Sequence, residues 1–123
     1  MMLIALILSW IVAFEHLFIM ILEMFFSTTS TAQNAFELKP EFLNQKEAKS
    51  LMANQGLYNG FIGVGLMVVL LILSGAALKS MLLLFTGFVF IAAVFGSLTA
   101  AKKIILVQGL PALLAFIAIA LAL

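Results

Sequence analysis

Glu15, His16 and Glu23 are the residues here that can hold a cation or pass a proton, and all three lie in one apolar run, MLIALILSWIVAFEHLFIMILEMFF, from Met2 to Phe26. A charge at bilayer depth costs several kcal/mol unless it is paired, neutralised or wetted. These groups therefore need partners. On a helix turning about 100° per residue, His16 and Glu23 are seven apart and lie on nearly one face, with Glu15 at its edge. That face is expected to point into the protein. Partners are available further along: Gln55 and Asn59 share a face at a spacing of four, Asn54 and Tyr58 form a second such pair, and Gln108 stands one residue before a Gly and three before Pro111.

The elements that must position these groups follow from composition. The 123 residues are 66% hydrophobic and 9% charged, with a mean hydropathy of +1.32. A soluble domain is nearer half apolar and a quarter charged, and a water-facing fold of this size cannot hide so much apolar surface. The expected class is an all-α integral membrane protein with four transmembrane helices in an antiparallel bundle, a single membrane domain over residues 1–123. With no Cys, disulfides, thiolate metal sites, iron–sulfur clusters and thiol nucleophiles are excluded. With no Arg and a net charge of +1, phosphate-backbone binding has no footprint, so nucleic acid is not an expected partner.

Helix 1 is expected over about 3–26 and reads as a retained span, because no basic residue precedes it and it is too long for a signal peptide core. Residues 27–50 are the polar stretch. Ser27–Thr31 offers a membrane exit and an N-cap, and Pro40 with Glu41 can restart an interfacial amphipathic helix that runs into the second span. Helix 2 is expected over about 51–74, with Gly56-x-x-x-Gly60 at a spacing that lets helix backbones approach closely. Gly75–Lys79 reads as a tight turn, helix 3 as about 81–98, residues 99–103 as a second turn, and helix 4 as about 104–123. Short turns make the last three spans antiparallel neighbours.

Four spans put both termini on one side. Lys39, Lys46, Lys49, Lys102 and Lys103 fall on the other side, and Lys79 falls with the termini. The positive-inside rule then places the termini outside and residues 27–50 and 99–103 in the cytoplasm of a bacterial inner membrane. Polar residues share this asymmetry. At 1.5 Å per residue, Glu23 lies about 5 Å from the loop end of its helix, Gln55 and Gln108 roughly 6 Å, and Asn59 about 12 Å, with His16 and Glu15 deeper. Stacked so, they form a polar funnel open to the loop side.

The stretches Phe14-Glu15-His16-Leu17, Leu22-Glu23-Met24-Phe25, Ala53-Asn54-Gln55-Gly56-Leu57-Tyr58-Asn59-Gly60-Phe61 and Gln108-Gly109-x-Pro111-Ala112 resemble the small bacterial membrane proteins catalogued as domain of unknown function 1304, some of which carry the label "epimerase". Phe36-x-Leu38-x-Pro40-Glu41-Phe42 fits the same pattern. The resemblance covers nearly the whole chain and implies a four-helix membrane protein. The family has no established activity, so it assigns no catalytic roles.

Each polar group also has a plainer reading. His16 can simply tie helices together, or it can relay protons. Glu15 and Glu23 can both be protonated structural groups, although two acids beside a His exceed what packing alone needs. Gln55, Asn59 and Gln108 read first as interhelical hydrogen-bond glue worth about 1 kcal/mol each. Tyr58 is either an interfacial belt residue or a site donor. Neighbouring Glu15 and His16 splay by about 100°, so no metal is expected, and no cofactor is implied.

The leading functional expectation is a carrier or permeation protein for protons or a small cationic or polar solute, working as a homo-oligomer, most simply a dimer. The first alternative is an intramembrane acid/base enzyme of isomerase type acting on a lipidic substrate. The second is a non-catalytic subunit of a larger membrane complex. The bilayer is the expected partner in each.

Overall fold

The computed structural model describes residues 1–122. Its elements in chain order are α1 (Met2–Phe25), α2 (Ser30–Phe36), α3 (Pro40–Leu43), α4 (Lys46–Ile72), α5 (Gly75–Thr99), a π-helical segment (Ile105–Gly109) and α6 (Leu110–Ala122). The π-helical segment and α6 run on as one 18-residue rod. This rod, α1, α4 and α5 are each long and apolar enough to cross a membrane. At 1.5 Å per residue, the 24 residues of α1 extend about 36 Å, against roughly 30 Å of hydrocarbon. The fold is an all-α membrane bundle of four spans. Leu73 and Ser74 alone join α4 to α5, which forces the two helices antiparallel.

Three boundaries depart from those read in the sequence. First, α4 begins at Lys46, so its amphipathic start is one rod with the second span. What precedes it is a single turn from Pro40 to Leu43 that ends at Asn44, with Leu43 fully buried. Second, Gly75–Lys79 is not a turn but the start of α5. The reversal is compressed into Leu73, Ser74 and Gly75, where Gly75 adopts φ +60, a left-handed value open to a residue without a Cβ. Third, the exit segment folds into α2, whose N-cap Thr29 accepts a hydrogen bond from the Ala32 amide at 3.3 Å.

Packing makes α1 the centre of the bundle. It lies against α4 on one flank and α6 on the other, and α6 with the π-helical segment lies against α5. Contact between α4 and α5 is sparse, so the bundle reads α4, α1, α6, α5 around its axis, with an open seam between its first and last members. The α1–α4 approach is close because Gly56, Gly60 and Gly63 are buried in it. A Cβ at Gly63 would sit 2.9 Å from the Ala13 carbonyl. Near the α4–α5 link the seam is filled, with the Phe85 ring packed over Gly65.

The terminal half of the bundle is a dry core of Ala5, Val12, Leu66, Val69, Leu82, Ala115 and Ile119. Its buried hydroxyls are satisfied within their own helices: Ser9 donates to the Ala5 carbonyl at 2.8 Å and Thr86 to the Leu82 carbonyl at 2.7 Å. Outward faces are apolar, as Leu3, Ile7, Phe14, Phe18 and Phe25 show along α1. This face meets lipid and leaves the opposite face of α1 free to carry the polar groups.

Candidate functional site

Where the seam between α4 and α5 opens, on the loop side of the dry core, the bundle encloses a cavity of about 640 Å³. Helix α1 forms its floor through His16, Ile19 and Glu23. One wall is α4, with Gln55, Tyr58, Asn59, Phe61 and Ile62. The other is α5, with Phe85, Phe88, Val89, Ala92 and Gly96, and Ile104 and Gln108 close the far side. The lining is mostly apolar, with a few polar groups converging on it, as is usual for sites that hold small molecules.

Glu23 is wholly buried, and the Asn59 side-chain amide donates to its Oε1 at 2.6 Å. That bond joins α1 to α4 at the depth where Gly56 lets the helices close, for a Cβ at Gly56 would lie 3.0 Å from the Cβ of Glu23. The other carboxyl oxygen, Oε2, is buried and has no hydrogen-bond partner. Buried oxygens of this kind are normally bonded, so Oε2 calls for a functional account.

His16, two helical turns nearer the N-terminus, is 2% exposed. Its Nδ1 lies 2.9 Å from the Val12 carbonyl oxygen. A carbonyl only accepts, so Nδ1 carries the hydrogen and donates. In the neutral ring this leaves the lone pair on Nε2. His16 and Glu23 are seven residues apart on α1, about 10 Å along its axis at 1.5 Å per residue.

Gln108 reaches the cavity from the π-helical segment. One extra residue in that turn shifts the register of every side chain before it by about 100° relative to those after. Pro111 follows and brings no amide hydrogen, so the local ladder cannot be regular there. At the mouth, Gln55 is exposed and Tyr58 is 68% exposed.

Six of the seven residues singled out in the sequence, His16, Glu23, Gln55, Tyr58, Asn59 and Gln108, thus line one cavity. Glu15 does not. It and Leu17 leave α1 on opposite flanks of His16, about 100° away on each side. Leu17 packs on Gly63 of α4, so Glu15 is turned away from α4, with its Oε1 buried and unpartnered. Among the described residues, no three His, Asp or Glu side chains converge as metal ligands would. Phe36, which the sequence marked only as part of the family pattern, is also a wall residue. It comes from α2, which is tied down by Lys103, whose ammonium donates to the Asn34 carbonyl. The Thr29 cap was the only local signal for that helix.

Comparison with known proteins places the chain. The family model described as "Protein of unknown function (DUF1304)" matches residues 10–120. The chain belongs to this family. A family relative from Lactococcus lactis subsp. lactis (strain IL1403), described as uncharacterized protein YpaA, is 41% identical over 117 residues, covering 95% of this chain and 97% of that one. The matched region takes in every polar residue of the cavity. No solved structure matches the chain.

Proposed function

We propose that this DUF1304 protein is a membrane carrier that loads a small cation, or a polar solute rich in hydrogen-bond donors, from the loop side of the bilayer, with Glu23 as the group that binds it. One observation carries this reading: Glu23 lines the cavity, and its Oε2 is buried without a partner in the protein. At such depth a carboxyl is held either as the neutral acid or as the carboxylate of an ion pair. Exchanging its proton for a bound cation satisfies both conditions in turn. Asn59, holding Oε1 in place, presents Oε2 to the ligand.

The terminal core argues against an open pore, because it is apolar apart from Ser9 and Thr86, whose hydroxyls are bonded within their own helices. A cavity open on one side and closed on the other suits one end-state of a carrier. By the lysine count that open side is cytoplasmic.

The test is transport. Protein reconstituted in liposomes with a trapped pH indicator should exchange protons for ethylammonium, and Glu23→Gln should abolish the exchange. No flux above protein-free liposomes overturns the proposal.

A second reading has its own support. His16 Nε2 and Glu23 Oε2 are a base and an acid on one dead-end apolar cavity, the pairing that proton-transfer isomerisation requires. Turnover of a lipidic substrate lost in both His16→Gln and Glu23→Gln, without ion flux, would favour it.

A further inference from the structure

We propose that the ligand is an amphiphile, a single-chain amine, that enters sideways from the bilayer through the seam between α4 and α5. This rests on the carrier reading above and adds the substrate class and the route.

The route follows from which wall residues also face outward. Phe61 of α4 is 76% exposed and Phe88 of α5 57% exposed, yet both line the cavity. Ala92, on the same face of α5, is exposed as well and puts only a methyl group in the gap. A cavity whose rim residues belong to the lipid-facing surface of two membrane-spanning helices is open to lipid. At its other end, towards the α4–α5 link, Phe85 over Gly65 shuts the seam. The opening is therefore a side window at the depth of Glu23 and Asn59.

The ligand class follows from the lining. A small hydrated ion gains nothing from walls of Phe, Ile, Val and Ala, and must shed water to enter them. An alkyl chain gains about 0.8 kcal/mol per methylene only when it leaves water, so for a molecule already in lipid the wall adds fit rather than driving force. Specificity then lies in the head group. The group it meets, Glu23 Oε2, has no donor within the protein. An ammonium supplies both a donor and a charge to it. The cavity volume falls within the roughly 300–1,000 Å³ of sites for drug-sized molecules, which suits one chain. Binding is an exchange: the carboxylic acid of Glu23 gives its proton to bulk water and its carboxylate pairs with the incoming alkylammonium, so one proton leaves per amine bound.

The experiment is native mass spectrometry of the full chain released from non-ionic detergent after equilibration with dodecylamine, dodecanol or ethylamine at equal concentration. The chain has no cysteine, so Ala92→Cys introduces a single thiol. A bulky methanethiosulfonate can close the window there, and a reductant reopens it. The expected result is one dodecylamine per chain, reduced at least tenfold in Glu23→Gln and in the blocked Ala92→Cys protein, and restored by the reductant. Restoration shows that the blocked protein was folded. Ethylamine bound as well as dodecylamine, and unaffected by the block, overturns the amphiphile and its route while leaving the carrier of small cations standing. Equal binding of dodecanol overturns the amine. Failure of both amines to bind the unmodified protein overturns this inference and the carrier reading together.

Discussion

The side-chain amide of Asn59 donates to Glu23 Oε1 at 2.6 Å, joining α4 to α1 across 36 positions of sequence. The bond occupies one carboxyl oxygen and leaves the other without a partner in the protein, so on the proposed carrier reading Asn59 positions Glu23. Asn59→Ala should lower resistance to unfolding in mixed SDS micelles by about 1 kcal/mol, the usual worth of an interhelical hydrogen bond in a membrane. It should also weaken proton–ethylammonium exchange without abolishing it, whereas Glu23→Gln abolishes it. If Asn59→Ala leaves both unchanged, the bond does not position the acid.

His16 is the sole histidine, so its ring can be observed directly. With Nδ1 donating to Val12 at 2.9 Å, solid-state nitrogen NMR of histidine-labelled protein in lipid should show Nδ1 protonated and Nε2 bare when the site is empty. With its ammonium paired to Glu23, two turns away on α1, dodecylamine should leave this tautomer in place. A spectrum dominated by the Nε2–H tautomer contradicts the geometry and removes the acceptor from the cavity.

Much of the fold was legible because a membrane leaves few choices. Long apolar runs must be helices, since lipid offers no partner to an open backbone, and buried acids must face inward. Helical spacing alone put His16 and Glu23 together and Glu15 at their edge. It could not say which neighbour stood on which flank, and α4 on the Leu17 flank is what separates Glu15 from the site. Depth along the helices anticipated the grouping of Gln55, Asn59 and Gln108 near Glu23. The register shift at Gln108 was hidden, because a π-helical turn has no simple residue signature beyond the nearby Pro111. Gly75 misled for a local reason: one left-handed residue sufficed for a reversal that the sequence suggested would take five.

The buried glycines of α4 make a graded prediction. A Cβ at Gly63 meets the Ala13 carbonyl at 2.9 Å, and backbone cannot step aside. A Cβ at Gly60 meets the thioether of Met20, the end of a flexible side chain. Gly63→Ala should therefore cost about 1–3 kcal/mol, the range for overpacking. Gly60→Ala should cost clearly less. Unfolding of both variants in SDS ranks them, and a larger loss for Gly60→Ala would show that the helices do not meet as described.

Lys103 and Asn34 tether α2 at the loop-side rim of the cavity. The Lys103 ammonium, on the link after α5, donates to the Asn34 carbonyl, and two residues beyond Asn34 the Phe36 ring forms part of the cavity wall. Helix α2 has only seven residues, too few to be stable alone, so it depends on such tethers. Glu37, which ends it, sits in the left-handed region at φ 54, a conformation that a side chain tolerates only where its surroundings hold it. Lys103→Met removes the donor and keeps most of the stem. It should raise hydrogen exchange of the amides over residues 33–38 severalfold, with little change in α1 or α4. Phe36→Ala should enlarge the loop-side mouth without untying α2. If exchange over that segment is the same with and without the lysine, α2 is held by its apolar contacts alone, and the two variants should then differ in ligand binding only through Phe36.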